Sequence, residues 1–224
     1  MLSKAFIPYG GYYSTPFARW QGSMANVNAI TLGAETTKRW MAGKNWDPKV
    51  LDYLILGITI GQPKLFYGGP WASALIGATD IPGCIISQAC STSTTGINQA
   101  AMGVETGMHE AAYCLMVDRT SNGPHTIWPN PQGPGGQVES EDWVMDHFSL
   151  DPWAGGAMIQ TAENVAEEAG IQREQCDAVT LRRYEQYQDA LADGGAFQKR
   201  YMFPVEIRIS KKKSITITAD EGVM

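Results

Sequence analysis

The apolar positions of this chain fall into two patterns, short continuous runs and repeats at helical spacing. The continuous runs predict strands at 4–8, over the second half of 50–60, just before Cys90, and over 111–117. The helical repeats predict helices at 28–41, from Gly69-Pro70 onward, and from Ile97 to Gly107. Continuous apolar strands are typical of a sheet buried on both faces, and a strand, a crossover helix and a strand form a right-handed parallel unit. The pattern therefore predicts an α/β fold with a parallel sheet.

The pattern changes after Asp118. Prolines and glycines dominate 118–153, which predicts an irregular loop or insertion that rests on the core. The elements predicted farther along are a helix at 161–169, a helix at 173–192, and a hairpin formed by 205–209 and 214–218. Thr161 is a possible cap for the first of these helices, and Gly170 is expected to end it.

Cys90 lies where the strand pattern ends and the helical pattern begins. The positive end of a helix stabilises a thiolate, and the unpaired N–H groups of the first turn are able to face the oxyanion of a thioester intermediate. Cys90 is therefore a candidate nucleophile for acyl transfer. The alternative is inert packing, since free cysteine is among the most buried residue types. Inert packing is what we expect of Cys84, Cys114 and Cys176.

A nucleophilic cysteine needs a base within hydrogen-bond reach, and the chain contains three histidines. His109 follows the helix that begins after Cys90, at the end remote from the thiol, so a helix-end role fits it better. His125 and His147 lie in or beside the proline-rich stretch, where they are either surface or site residues. None of the three stands in a recognisable base motif.

Composition narrows the class of partner and the compartment. The formal net charge of -6 argues against nucleic-acid binding, which usually needs a basic face. No apolar run approaches the roughly 20 residues of a membrane-spanning helix, and the first residues lack the features of a signal peptide. Four cysteines without close pairing or metal-ligand spacing indicate free thiols in a reducing compartment. We therefore expect a cytosolic protein with no nucleic-acid partner, no membrane partner and no bound metal.

Three segments, in order along the chain, resemble the thiolase family. The segment Gln88-Ala-Cys-Ser-Thr-Ser-Thr-Thr-Gly96 resembles the family's nucleophile loop. The segment that begins Met158-Ile-Gln-Thr-Ala-Glu-Asn-Val-Ala166 resembles its loop-domain motif, which is specific, and Ile215-Thr-Ile-Thr-Ala-Asp-Glu221 resembles the stretch that follows. The resemblance implies a thiolase-like layered α/β fold, of which this chain holds the N-terminal half with a long loop-domain insertion. It implies a core at 1–118 that carries the nucleophile and a loop domain at 119–224 that covers the coenzyme A site.

The resemblance also implies an activity and a partner. Cys90 would attack an acyl-CoA or β-ketoacyl-CoA, with CoA as a substrate and no tightly bound cofactor. Met158 would lie near the pantetheine, and Lys211, Lys212 and Lys213 are candidates for the CoA phosphates, although a lysine run is usually a solvated turn. The family's second half, with its histidine base, is absent from this sequence. We therefore expect a second polypeptide that supplies this half in a hetero-oligomer.

Two departures and two alternatives qualify this expectation. The family's Gly-Gly-x-Glu-Ser loop is replaced by residues 117–122, Val-Asp-Arg-Thr-Ser-Asn, and its His-Met pair by Ala157-Met158. The substrate is therefore not assumed to be acetoacetyl-CoA. One alternative is a non-catalytic scaffold or CoA-ester-binding subunit of a larger complex, and the other is that the sequence is part of a longer enzyme.

Overall fold

The computed structural model describes residues 2–222, which form two compact units. The first unit combines the residues up to Gly123 with those from Met202 onward, and the second contains Pro124–Tyr201. The predicted boundary after Asp118 separates a core that carries the nucleophile from a loop domain that covers the coenzyme A site. Because the compact units are defined by packing alone, this functional boundary stays a prediction.

A three-stranded parallel sheet forms the centre of the first unit. Its strands are β1 (Tyr53–Gly57), β2 (Gly83–Ile86) and β3 (Ala112–Met116), in the order β2-β1-β3. The predicted parallel α/β arrangement is therefore confirmed. Burial on both faces is correct for β1, in which Leu54, Ile55 and Leu56 are fully buried, but wrong for β3, where only Leu115 is buried. The reason is position, since β3 is an edge strand of the described sheet.

Helices cover both faces of this sheet. They are α1 (Ala29–Gly43), α2 (Gly68–Ile76) and α3 (Thr92–Glu105). Helices α1 and α2 pack on the face that carries Leu54 and Leu56, where Ile30 and Ile76 complete the core. Helix α3 lies on the opposite face, against Gly57 at the end of β1. The sheet thus places the start of α3 next to the end of the central strand.

Local signals explain where these helices begin. The side chain of Asn28 accepts hydrogen bonds from the backbone N–H of Ile30 and Thr31, at 3.0 and 3.2 Å, and so caps α1. Helix α2 begins with Gly68 and Gly69, which approach the sheet closely. A Cβ atom on Gly69 would lie 2.7 Å from the carbonyl carbon of Gly83. Only a residue without a side chain allows α2 to lie so near the start of β2.

The strand predicted at 4–8 is wrong. The described residues of this segment are irregular, and Phe6 and Ile7 are 82% and 62% exposed. The backbone N–H groups of Ser3 and Lys4 donate to the Glu105 carboxylate at the end of α3, at 2.9 and 2.8 Å. The segment is thus tied to a helix end instead of to a neighbouring strand.

The attachment of this segment to Glu105 is expected to depend on pH. The hydrogen bonds from Lys4 and Ser3 lower the pKa of Glu105 from its ordinary value of 4.5 to about 2. The attachment should therefore be complete above pH 4.5 and be lost as the pH falls through about 2. Amide hydrogen exchange at residues 3–5, corrected for intrinsic rates, measures it. Because Glu105 is at the surface, the release should leave the rest of the first unit folded.

A Glu105→Gln variant is the control for this pH dependence. Glutamine has the same shape but cannot ionise, so residues 3–5 should exchange faster and without a pH-dependent step. Wild-type protection that persists unchanged below pH 2, or that matches the glutamine variant throughout, would contradict the assignment.

The second unit contains regular structure where the sequence predicted an irregular loop. Its elements are the antiparallel strands β4 (His125–Pro129) and β5 (Val138–Asp142), followed by α4 (Met145–Ser149), α5 (Met158–Ala169), α6 (Arg173–Ala190) and α7 (Ala192–Gly195). The irregular-loop prediction is wrong because the prolines and glycines of this stretch lie before β4, at its last residue, in the β4–β5 connection and after α4, and leave the strand interiors free.

The two long helices of the second unit agree with the sequence pattern in extent. Helix α5 begins three residues before Thr161, which is therefore not its cap, and Gly170 ends it in the left-handed conformation, with φ 66°. Helix α6 ends two residues short of the predicted boundary. Its apolar side chains Val179 and Tyr184 are exposed.

The C-terminal hairpin belongs to the first unit and is confirmed. It pairs β6 (Val205–Arg208) with β7 (Ser214–Ile217), and Val205 and Ile207 point into the core. Lys211, Lys212 and Lys213 form its exposed turn. Across residues 2–222, no helix is both long enough and apolar enough to span a membrane.

Candidate active site

Cys90 lies between a strand and a helix, as the sequence predicts. Strand β2 ends at Ile86, residues Ala89–Ser91 form one turn of 3-10 helix, and α3 begins at Thr92. Cys90 is exposed, and its thiol is free. It is therefore accessible to a reagent or substrate and is not packed in the core.

The turn that carries Cys90 has an unusual backbone. Ala89 has φ 45°, in the left-handed region that residues with a Cβ atom rarely adopt. The Ser91 N–H donates to Gln88 O at 2.9 Å, and the Thr92 N–H donates to Ala89 O. Two of the amides next to Cys90 are thus already bonded, which corrects the expectation that the neighbouring N–H groups are unpaired.

A buried threonine fixes this turn from within. The Thr92 hydroxyl donates to Ala89 O at 2.7 Å and accepts from the Gln88 N–H at 2.8 Å. The Thr95 hydroxyl donates to the Gln88 side chain from the next turn of the helix. Thr92 is able to approach the sheet because residue 57 is glycine, on which a Cβ atom would lie 2.9 Å from Thr92 Cγ2.

The carboxyl ends of all three parallel strands meet at this turn. Thr59 follows β1, Cys90 follows β2 and Asp118 follows β3. Asp118 accepts the Ile60 N–H at 2.8 Å and the Thr59 N–H at 3.1 Å. The Thr59 hydroxyl in turn lies 3.2 Å from both Ala89 O and Thr92 Oγ1. A continuous set of hydrogen bonds therefore connects Asp118 to the Cys90 turn.

Burial changes the acidity of two side chains near this sheet. Burial raises the pKa of Asp118, and the hydrogen bonds from Ile60 and Thr59 offset part of this rise. Burial also raises the pKa of the Cys114 thiol to about 11, and the neighbouring Cys84 adds to the effect. Cys84 and Cys114 are half-buried on the α3 face, whereas Cys176 is exposed on α6. The packing interpretation thus fits Cys84 and Cys114 better than Cys176.

The histidines are engaged elsewhere. The His109 ring stacks on Tyr53 with 4.1 Å between ring centroids, at the C-terminal end of α3, where the two rings line a cavity of about 320 Å³. His125 and His147 pair with Asp142 and Glu141 of the second unit, at 3.8 and 2.9 Å. His109 is therefore at the opposite end of α3 from Cys90 and does not serve as its base.

The remaining predicted site residues are at the surface. Met158 is the first residue of α5 and is half exposed, and the lysines at 211–213 are exposed in the β6–β7 turn. Their predicted contacts with CoA stay predictions. Within the described residues 2–222, no group of three or more histidine, cysteine, aspartate or glutamate side chains is arranged to hold a metal ion.

Sequence reasoning missed Thr59, Thr92 and Asp118 as residues that support Cys90. Asp118 directly follows the strand predicted over 111–117 and Thr92 follows the nucleophile turn, whereas Thr59 lies within the strand predicted over the second half of 50–60. In parallel sheets, the residues that follow the carboxyl ends of neighbouring strands lie together at one edge, where ligands bind. This rule places Asp118 at the same edge of the sheet as Cys90, but it does not predict which side chains are in contact there.

The fold and this junction together define the class: an α/β protein with a parallel sheet that presents an exposed cysteine just before a helix. The sequence comparison identifies the family. Residues 11–224 match the family described as thiolase, N-terminal domain. The chain therefore belongs to the thiolase family and has its layered α/β fold.

Known relatives and solved structures agree with this family. The β-ketoadipyl-CoA thiolase of Acinetobacter baylyi is 28% identical over 219 residues, which cover 92% of this chain and 53% of that protein. The acetyl-CoA acetyltransferase of Bacillus anthracis has a TM-score of 0.80 at 26% identity and covers 92% of this chain and 52% of its own. The human mitochondrial 3-ketoacyl-CoA thiolase in complex with CoA is similar in fold, with a TM-score of 0.76 at 23% identity, over 92% of this chain and 51% of that one. The chain thus spans about half the length of the curated relatives it matches.

Proposed function

We propose that this chain is the nucleophile-bearing subunit of a thiolase composed of two polypeptides. It transfers an acyl group between CoA thioesters through a thioester on Cys90, by Claisen condensation or by thiolytic cleavage of a β-ketoacyl-CoA. The observation that carries the proposal is the exposed Cys90 at the strand-to-helix junction of a chain that belongs to the thiolase family.

The chemistry follows from a thiolate in this position. The Cys90 thiol gives its proton to a base, and its Sγ attacks the thioester carbonyl of an acyl-CoA in condensation or the β-keto carbonyl of a β-ketoacyl-CoA in cleavage. The tetrahedral intermediate then collapses. In condensation the bond to the CoA sulfur breaks and the CoA thiolate takes up the proton; in cleavage the Cα–Cβ bond breaks and the departing acyl-CoA carbanion takes up the proton. The acyl group then passes from Cys90 to a CoA thiol or to the carbanion of a second acyl-CoA. This second transfer releases the Cys90 thiol for another cycle.

The second polypeptide is proposed as the source of the base. His109 is stacked on Tyr53 at the far end of α3, which leaves Cys90 without a histidine on its own helix. The exposed apolar side chains of α3, Ile97 and Met102, support a partner that covers this helix. The match to only about half the length of the curated relatives also supports a partner. A family resemblance assigns the base to a histidine of the missing half.

The CoA contacts and the compartment complete the proposal. Met158 is proposed to contact the pantetheine arm, and the three lysines at 211–213 are proposed to meet the phosphates as exposed positive charges. The four free cysteines support a reducing compartment such as the cytosol.

The test of this function is the detection of an acyl-enzyme. The chain is incubated with acetyl-CoA, alone and together with the polypeptide that copurifies with it from its native source, and peptides are mapped by mass spectrometry. We expect one acetyl group on the peptide that contains Cys90, formed faster in the complex because the base is then present. A complex that turns over acyl-CoA without an adduct on Cys90 contradicts the proposal and favours a non-catalytic scaffold.

A further inference from the structure

We propose that Asp118 and Thr59 are positioning residues for Cys90. Neither side chain carries the reacting sulfur, and both act through the backbone of the Cys90 turn. This inference rests on the proposed function for its catalytic meaning, because Cys90 must be the nucleophile for its placement to matter. Its central measurement is the reactivity of the Cys90 thiol itself, which is independent of acyl transfer.

The Asp118 carboxylate holds the loop that follows β1. Both carboxylate oxygens of Asp118 are used, since Oδ1 accepts the Ile60 N–H and Oδ2 accepts the Thr59 N–H. Hydrogen bonds from backbone N–H groups to a carboxylate are charge-assisted and stronger than neutral ones. The end of β3 therefore fixes the conformation of the loop that presents Thr59.

Thr59 connects this loop to the turn that carries Cys90. Its hydroxyl lies 3.2 Å from both Ala89 O and Thr92 Oγ1, the two groups that define the turn, and it also interacts with the Asp118 carboxylate. Thr92 already donates to the same Ala89 carbonyl. Two hydroxyl groups, from two different strand ends, thus converge on the carbonyl oxygen of the residue before Cys90.

The backbone of Ala89, in the same turn, is in the left-handed region. A non-glycine residue in the left-handed region is strained, and this conformation persists only where its surroundings hold it. The hydrogen bonds from the Thr59 and Thr92 hydroxyls to Ala89 O hold Ala89 in this conformation. Without them the turn would relax toward an ordinary backbone conformation and move the Cys90 sulfur away from the N-terminal end of α3, where a thiolate is stabilised.

Asp118 also lies in one of the two segments where this chain departs from the thiolase pattern, residues 117–122. The rest of that segment has structural contacts of its own. Arg119 donates to Val27 O and Asn122 O, at 2.9 Å each, and Ser121 accepts the Gln21 N–H at 2.8 Å. Within the segment, Asp118 accepts the hydrogen bonds from the loop that reaches Cys90.

The experiment measures alkylation of individual cysteines by iodoacetamide in the full chain. Rate constants are obtained for Cys90 and, in the same sample, for the half-buried Cys84 by quantitative peptide mass spectrometry. Thr59→Val removes the hydroxyl at nearly constant shape, and Asp118→Asn removes one of the two acceptors. Both are expected to slow alkylation of Cys90 by about fivefold, the effect of one lost hydrogen bond, with the Cys84 rate unchanged.

Thr59→Ser is the matched control, because it restores the hydroxyl without the methyl group. Its Cys90 rate should return to near the wild-type value. The proposal is overturned by an unchanged Cys90 rate in Thr59→Val and Asp118→Asn, and also by serine behaving like valine. It is equally overturned if the Cys84 rate changes in step with Cys90, since that would indicate general loosening of the unit.

A second arm uses the assembled complex. There Thr59→Val should lower kcat for acyl transfer, and leave KM for acyl-CoA unchanged, because a misplaced nucleophile affects the chemical step. A raised KM for acyl-CoA with a normal kcat would contradict the positioning role, because it would indicate weaker substrate binding instead of a slower chemical step. If the wild-type complex itself forms no acyl-enzyme, the proposed function fails while the alkylation rates still decide whether Asp118 and Thr59 position Cys90.

Discussion

Replacing Cys90 with alanine is expected to abolish acyl transfer by the assembled enzyme, with a fall in kcat of roughly 10⁴-fold or more. The expectation follows from covalent catalysis, because without the sulfur there is no atom at the end of β2 that forms the thioester. The alanine side chain also fits the turn without strain on its neighbours, since Cys90 is exposed. The measurement is steady-state turnover of acyl-CoA by the complex, together with peptide mapping for the adduct.

The matched control for this substitution is Cys176→Ala. Cys176 is also an exposed free thiol, but it lies on α6 in the second unit. Its removal should leave turnover and the Cys90 adduct unchanged. Full activity of the Cys90→Ala complex would instead show that the chain is a scaffold, and loss of activity in both variants would point to a requirement for thiols in general.

Replacing Ile30 with alanine is expected to lower the free energy of unfolding by about 2–5 kcal/mol, the range for an aliphatic side chain removed from a packed core. Ile30 is fully buried on α1 and packs in the cluster between α1, α2 and the sheet. Because a domain has only about 5–15 kcal/mol of stability in total, this one change should remove a large share of it. Chemical denaturation followed by circular dichroism measures the loss.

Ile97→Ala provides the comparison, since it makes the same change on another helix of the same unit. Ile97 is 46% exposed on α3, so its replacement should change the stability of the isolated chain by less than about 1 kcal/mol. If a partner covers α3, the same variant should weaken the complex. Equal destabilisation by the two variants would contradict the assignment of the core to the α1 and α2 face.

The sequence was informative where one physical effect determined the structure. Continuous apolar runs located β1 and β3 because strands of a parallel sheet are covered by helices. The change of period at Cys90 located the junction because helices and strands bury their apolar residues at different spacings. Judged by residue type alone, Cys90 is either a nucleophile or an inert packed residue. The family resemblance then favoured the nucleophile.

The sequence was less informative where structure depends on pairing between distant segments. The β4–β5 hairpin was missed because prolines and glycines dominate its surroundings. In the structure, His125–Pro129 nevertheless pairs antiparallel with Val138–Asp142. The N-terminal strand was predicted from apolarity, which says nothing of whether a neighbouring strand is free to pair. The Asp118 and Thr59 contacts depend on side-chain directions and loop conformations, which no single-residue pattern encodes.

The left-handed backbone at Ala89 has a consequence for how freely the junction moves. Glycine at this position would relieve the native strain, but it would also give the unfolded chain more conformations to lose, by about 0.4–1 kcal/mol. The two effects oppose each other, so overall stability would change little. The conformational entropy of the folded turn would nevertheless rise, because glycine populates several backbone regions with similar energies. With alanine at 89, the Cys90 sulfur therefore samples fewer directions than it would beside a glycine.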